Sequence, residues 1–254
     1  MCTVLLLLRP DDAWPLLIGA NRDERLDRPF DPPGRYWPGT PRIVAGRDRL
    51  GGGSWLGLND DGVVATIVNG MDRLGPLAGK SSRGDIVLRA LREADAASAA
   101  GAVGRLEPSR YRGFTLIVAD RRAAFAIVND EETMDVRPLA PGYHLVTPDG
   151  CDVVSSPRYA AHFPAFRSAR PPAPDANDWA DWIALLRRVD DDDPHRAMTV
   201  VTAHDFGTVA STLLAVPKST SAEPVLLFAN GPPTRTSYES LSAPWVRAGN
   251  VERG

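Results

Sequence analysis

The feature that most constrains this chain is the hairpin written into its first two dozen residues. Thr3-Val4-Leu5-Leu6-Leu7-Leu8 is a continuous apolar run of strand length, and Arg9-Pro10-Asp11-Asp12 behind it has the composition of a turn. Trp14 to Gly19 reads as the returning strand. Such a hairpin brings Asn21, Arg22, Asp23 and Glu24 back beside Cys2. Cys2 directly follows the initiator Met, and a second residue this small favours removal of Met1. One residue would then carry both a thiol and a free α-amine. Their ordinary pKa values are about 8.5 and about 7.7–8.0, so both change protonation near neutrality. An amine held against its own thiol can act as the general base that makes the thiolate nucleophile. The alternative reading of Cys2 is a small apolar residue ending a buried strand.

Length and composition exclude several classes of function. A chain of 254 residues is long for one ordinary domain, but layered and all-β folds of this size are often single. The net charge of −3, without a basic run, gives no footprint for nucleic acid. Leu5 to Leu8 is too short to span a membrane, and no basic segment precedes it as in a secretion signal. Two cysteines, Cys2 and Cys151, make no disulfide framework, so a cytoplasmic location is expected.

Residues 25–49 carry several Pro and Gly and read as a long irregular loop anchored by Tyr36 and Trp37, of the kind that covers a site. Gly51-Gly52-Gly53 precedes a strand and lacks the Gly-Lys-Ser/Thr of a phosphate loop. Residues 54–58 and 63–68 form strands about the turn Asn59-Asp60-Asp61-Gly62, and the second ends at Asn69-Gly70. Ser82 to Asp85 has the spacing of a capped helix start, with an apolar face running on for roughly four turns to Ala97. Phe114 to Ala119 and Ala123 to Val128 form a further hairpin, and His144 to Thr147 a short strand. Trp179, Trp182, Ile183 and Leu186 lie on one helical face, and Asp190 to Asp193 reads as a solvated loop. Strands return at 197–202, 211–216 and 225–229. The order is strands, helix, strands, helix, strands, without βαβ repetition, and suits antiparallel sheets with helices outside.

With these residues in view, the sequence resembles the NRDE family, named for the string at Asn21-Arg22-Asp23-Glu24, whose eukaryotic members are called transport and Golgi organisation protein two. The likeness is carried by Met1-Cys2, by Ala20-Asn21-Arg22-Asp23-Glu24 with Arg28-Pro29, and by Gly52-Gly53-Ser54-Trp55-Leu56-Gly57. It continues through Asn69, Ser82-Arg83-Gly84 and Phe206-Gly207-Thr208 with Ser211-Thr212. The family is similar to N-terminal nucleophile hydrolases, whose cysteine branch includes penicillin V acylases and bile salt hydrolases. The resemblance implies an α+β fold, a four-layer αββα sandwich of antiparallel sheets, in one domain over 1–246 with a frayed tail at 247–254.

Carried over to this chain, the resemblance makes Cys2 the nucleophile, its α-amine the base and Asn69 a donor to the oxyanion. Arg22 would lower the thiol pKa and Asp23 would orient the amine. The acylases separate that Arg and Asp by two residues, whereas here they are adjacent. Neighbouring side chains on a strand face opposite sides. So either Asn21 and Asp23 face Cys2, or Arg22 and Glu24 do. Two further departures are Thr147, where many relatives have Asn, and Val209, where many have Arg after Gly-Thr. The string 21–24 would equally suit a salt-bridged strand end.

The implied activity is amide cleavage in a small acylated substrate through an acyl-thioester, with no cofactor and no metal. The alternative from the same resemblance is a non-catalytic binding or trafficking protein for haem, lipid or acyl-CoA. A haem site needs an axial ligand facing an apolar cleft. His144, His162, His195 and His204 are scattered without haem-attachment or metal spacing, and His204 with Asp205 is too few for a metal hydrolase.

Overall fold

A computed structural model describes residues 2–71, 73–202 and 205–241. The tail at 247–254 and His204 lie outside the described residues. Among the described residues, fourteen strands are arranged with four α-helices. The first half contains β1 (Thr3–Leu8), β2 (Leu16–Arg25), β3 (Phe30–Gly34), β4 (Ile43–Asp48), β5 (Leu56–Asn59), β6 (Val64–Asn69), α1 (Gly84–Ala90) and α2 (Ala96–Gly104). The second contains β7 (Phe114–Ala119), β8 (Ala124–Asn129), β9 (Met134–Leu139), β10 (Gly142–Thr147), β11 (Gly150–Cys151), α3 (Pro157–Ser168), α4 (Ala180–Leu186), β12 (Phe206–Val216), β13 (Val225–Ala229) and β14 (Glu239–Ser240). They form two seven-stranded sheets, ordered β11-β10-β1-β2-β12-β13-β14 and β3-β4-β5-β6-β7-β8-β9, and every pairing between strands is antiparallel.

Strand alternation sorts the side chains into three cores. Val4, Leu6, Leu8, Leu16, Ile18 and Ala20 meet Val44, Leu56, Leu58, Val64 and Val68 between the sheets. Leu5, Leu7 and Leu17 point the other way, onto Phe166 of α3 and Trp182 and Leu186 of α4. Ile43, Ala45, Ala65 and Ile67 pack on α1 and α2. The layers therefore run helix, sheet, sheet, helix, an αββα sandwich. The continuous apolar run of β1 follows from this, because a central strand covered on both faces needs no polar side.

Four expectations are corrected. The segment 25–49 is not an irregular loop, since β3 and β4 occupy much of it. Pro32 and Pro33 are tolerated because β3 is an edge strand with an irregular register between Asp31 and Gly34. The single helix expected from Ser82 to Ala97 is two helices. Asp95 breaks it by accepting the Ser98 N–H at 2.7 Å and capping α2 afresh. Ser82 does not cap α1. Arg83 stands at that position and makes no side-chain cap. The strand expected at 197–202 is only an isolated bridge from Val201 to Gly207, because the Met198 and Thr199 amides both turn to the Arg188 carbonyl. Among the described residues, no helix is long and apolar enough to cross a membrane.

Candidate active site

Cys2 enters the site from the end of β1. The ladder pairs Thr3 with Asn21, so the residue before Thr3 falls beside Arg22 and Asp23. The Asp23 amide donates to Cys2 Sγ at 3.4 Å, and the thiol donates to the Asp23 carbonyl oxygen at 3.6 Å. Burial, and after it the Asp23 carboxylate, push the Cys2 thiol up, while the Asp23 amide and, to a lesser degree, the positive charge of Arg22 act in the opposite direction. The resting group is therefore a thiol that needs a base.

Register and alternation resolve the adjacency of Arg22 and Asp23. Cys2 packs against the core between the sheets, which Ala20 also faces. Arg22, two residues beyond Ala20, points the same way. Its guanidinium carbon is 4.1 Å from the Trp55 ring centroid and 4.9 Å from that of Phe30. Its Nη2 is 3.6 Å from Asp48 Oδ2, and its buried Nη1 has no hydrogen-bond partner among the described residues. Asp48 also accepts Arg28 Nε at 2.6 Å and the Gly51 amide at 2.9 Å. Burial alone would raise the Asp48 pKa, but these donors outweigh it and hold the carboxyl below its ordinary value.

Asn21 and Asp23 point into the opposite layer. Asn21 donates to the carbonyls of Leu186 at 2.9 Å and Met198 at 2.8 Å, and accepts Ser211 Oγ at 2.6 Å. Asn21, expected among the catalytic residues, thus ties β2 to α4, to the segment before β12 and to β12 itself. Asp23 accepts the Thr208 hydroxyl at 2.5 Å and faces Arg158 of α3, 3.9 Å from its Nη1. Arg158 also donates to Thr3 Oγ1 at 2.6 Å. Burial raises the Asp23 pKa against these favourable partners.

A cavity of about 310 Å³ opens where the two sheets part, with Cys2, Arg22, Glu24, Trp55, Asn69 and Arg83 in its walls. Asp23 borders it beside the sulfur. Asn69 ends β6, paired with Phe114, and its carboxamide makes no hydrogen bond among the described residues. Thr147 is elsewhere, buried 3.2 Å from Ser156 Oγ. The glycines of the two quoted motifs have a mechanical reason. A Cβ on Gly53 would lie 2.4 Å from the Gly84 carbonyl carbon, and the Ser54 amide donates to the Gly84 oxygen at 3.1 Å. This backbone contact sets Arg83 next to Ser54 and Trp55.

Sequence reasoning missed Arg158 and Arg83 as parts of the site. Arg158 lies on α3, which carries Pro157 and Pro164 and shows no clean apolar face. Arg83 was visible as part of a helix start and within the Ser82-Arg83-Gly84 match, but neither signal gave it a role in the site. Thr208 falls within the Phe206-Gly207-Thr208 match, which was its signal. One group of potential metal ligands occurs among the described residues. His144, Cys151 and Asp152 have ligand atoms within 4.8 Å of one another. Both His144 nitrogens are already taken, by Asp152 Oδ2 at 2.6 Å and the Ala140 carbonyl at 2.7 Å.

The profile of the family described as Transport and Golgi organisation 2 matches residues 1–164. No curated protein matches the chain in sequence. Among solved structures, it is similar to a Caenorhabditis elegans N-acylethanolamine-hydrolyzing acid amidase ortholog, at 15% identity and TM-score 0.54, covering 84% of this chain and 92% of the other. It is similar to penicillin V acylase from Agrobacterium tumefaciens, at 10% identity and TM-score 0.53, covering 90% and 83%. It is also similar to a mutant of conjugated bile acid hydrolase from Clostridium perfringens, at 10% identity and TM-score 0.53, covering 95% and 96%. These three share the N-terminal nucleophile hydrolase fold, and at such identities the likeness is one of fold.

Proposed function

The chain belongs to the Transport and Golgi organisation 2 family, and from that membership and the surroundings of Cys2 we propose that it is a cysteine N-terminal nucleophile hydrolase acting on the amide of a small acylated substrate. The observation that carries this reading is a half-buried sulfur at a strand end, sharing one cavity with Arg22 and with the carboxamide of Asn69.

Removal of Met1 frees the Cys2 amine. That amine takes the thiol proton, and the thiolate attacks the substrate carbonyl carbon. The Asn69 N–H group donates to the resulting oxyanion, a contact whose loss typically costs ~10²–10³ in rate. Collapse breaks the C–N bond, and the leaving amine takes the proton from the Cys2 ammonium. Water, deprotonated by the same amine, then attacks the thioester, releases the acid and restores the thiol. Arg22 favours the thiolate electrostatically, and Asp23 holds the ammonium. Two unpaired cysteines fit the reducing cytoplasm.

Intact-mass measurement tests the first step and should show Met1 absent. A thiol-reactive acyl probe should label Cys2 and leave Cys151, whose buried thiol is pushed up to about 12. Cys2→Ala should abolish amide hydrolysis. Retention of Met1, with haem, lipid or acyl-CoA bound at the cavity, would instead support a non-catalytic carrier.

A further inference from the structure

Arg83 stands in the cavity wall with part of its hydrogen-bonding capacity unused. Its Nη1 donates to the carbonyls of Arg73 at 2.7 Å and Gly113 at 3.0 Å, and its Nη2 to that of Gly75 at 3.3 Å. A guanidinium has five N–H donors. The Nε–H and one Nη2–H of Arg83 have no acceptor among the described residues. Those two atoms form the side-on edge that grips a carboxylate or phosphate with two parallel bonds. The protein uses the same edge elsewhere. Arg25 holds the two carboxylate oxygens of Asp27 in this way, through Nε at 2.9 Å and Nη2 at 2.7 Å.

Among the described residues, the acidic groups nearest Arg83 are held by other cations. Glu131 is committed to Lys80 at 2.9 Å and Arg73 at 3.0 Å, and it accepts the Gly113 amide. Asp48 and Glu24 line the cavity beside Arg22 and Arg28, and Asp48 is held by both of those arginines. Burial and the adjacent Arg112 push the Arg83 pKa down to about 10, which leaves it a cation at neutral pH. Lys80 and Arg112 line the same wall, and Trp55, Pro76 and Leu77 supply apolar surface beside them.

We propose that Arg83 is the anion-recognition residue of this cavity, and that the substrate is an acyl amide bearing a carboxylate or phosphate group. The inference rests on the hydrolase reading for calling the ligand a substrate. Its binding part can be tested without turnover.

The test uses the full-length Cys2→Ala variant, titrated calorimetrically with N-octanoylglycine and with its uncharged counterpart N-octanoylglycinamide. N-octanoyl phosphoethanolamine serves as the phosphate arm. At least one of the two anions should bind tenfold or more tightly than the amide at low salt, and which one does so identifies the group. The preference should shrink as salt is added. Adding Arg83→Gln should erase it, and adding Arg83→Lys should restore part of it. Equal binding of all three compounds, or no binding of any, overturns the proposal. So does a preference that survives in Arg83→Gln with an unchanged unfolding midpoint. If Arg83→Gln does not fold, the anion-to-amide ratio and its salt dependence in the Cys2→Ala protein decide. Hydrolysis of the neutral amide by the protein with native Cys2, without any anion preference, would sink this inference and leave the hydrolase reading standing.

Discussion

The guanidinium of Arg22 points to the same inter-sheet side as Cys2, lies over the Trp55 ring and approaches Asp48. Its charge favours the thiolate, so Arg22→Gln should move the pH profile of Cys2 alkylation to higher pH, measured with iodoacetamide. A profile that stays in place would remove Arg22 from any part in thiol activation. Asn21, one residue earlier, calls for a different measurement. Asn21→Ala leaves the buried carbonyls of Leu186 and Met198 without that donor and should destabilise the fold by about 2–3 kcal/mol in urea unfolding. The sequence alone showed that adjacent strand residues must part company, since alternation demands it. It left the choice of pair open, because the choice depends on a register, Thr3 against Asn21, that only the paired strands display.

The β10–β11 hairpin carries a titratable latch. Both His144 nitrogens meet acceptors, so the ring that satisfies them is the doubly protonated one. Burial works against that charge, but the Asp152 carboxylate and the Ala140 carbonyl prevail and the His144 pKa is raised. A folded pKa above the unfolded value means that the contribution is complete below about pH 6.5 and fades as pH rises through the folded pKa. Urea midpoints measured from about pH 6 to about pH 9 should fall as the ring loses its charge, and His144→Gln should flatten that slope. Legibility at this scale followed turn chemistry and burial. The Asn59 turn and the β7–β8 hairpin were readable because Asn, Asp and Gly punctuate alternating or apolar runs. The strand β9 was not, since Pro138 and a largely exposed edge leave no alternation to read. Helix α3 was hidden by its two prolines and by an apolar surface that joins a mixed aromatic cluster rather than a regular stripe.

At the scale of the molecule, antiparallel sheets with helices outside were legible from the order of apolar and helical segments, whereas the four-layer sandwich was an expectation from the family resemblance. The cavity was less legible, since its walls come from Cys2 ahead of β1, from β2 and β6, from the stretch between Asp48 and Trp55 and from the approach to α1, which meet only in three dimensions. The layering also separates the two thiols. Cys151 is 2% exposed among inter-sheet residues, whereas Cys2 is half-buried at the cavity. Titration with a chromogenic disulfide should count one reactive thiol in the native protein and two in denaturant, and two fast native thiols would contradict this arrangement. The contact between Gly53 and Gly84 has a wider consequence. It leaves no side chain between the strip that bears the indole and the turn that bears the cation, so the two move as one jaw. A guest that displaces either must shift both.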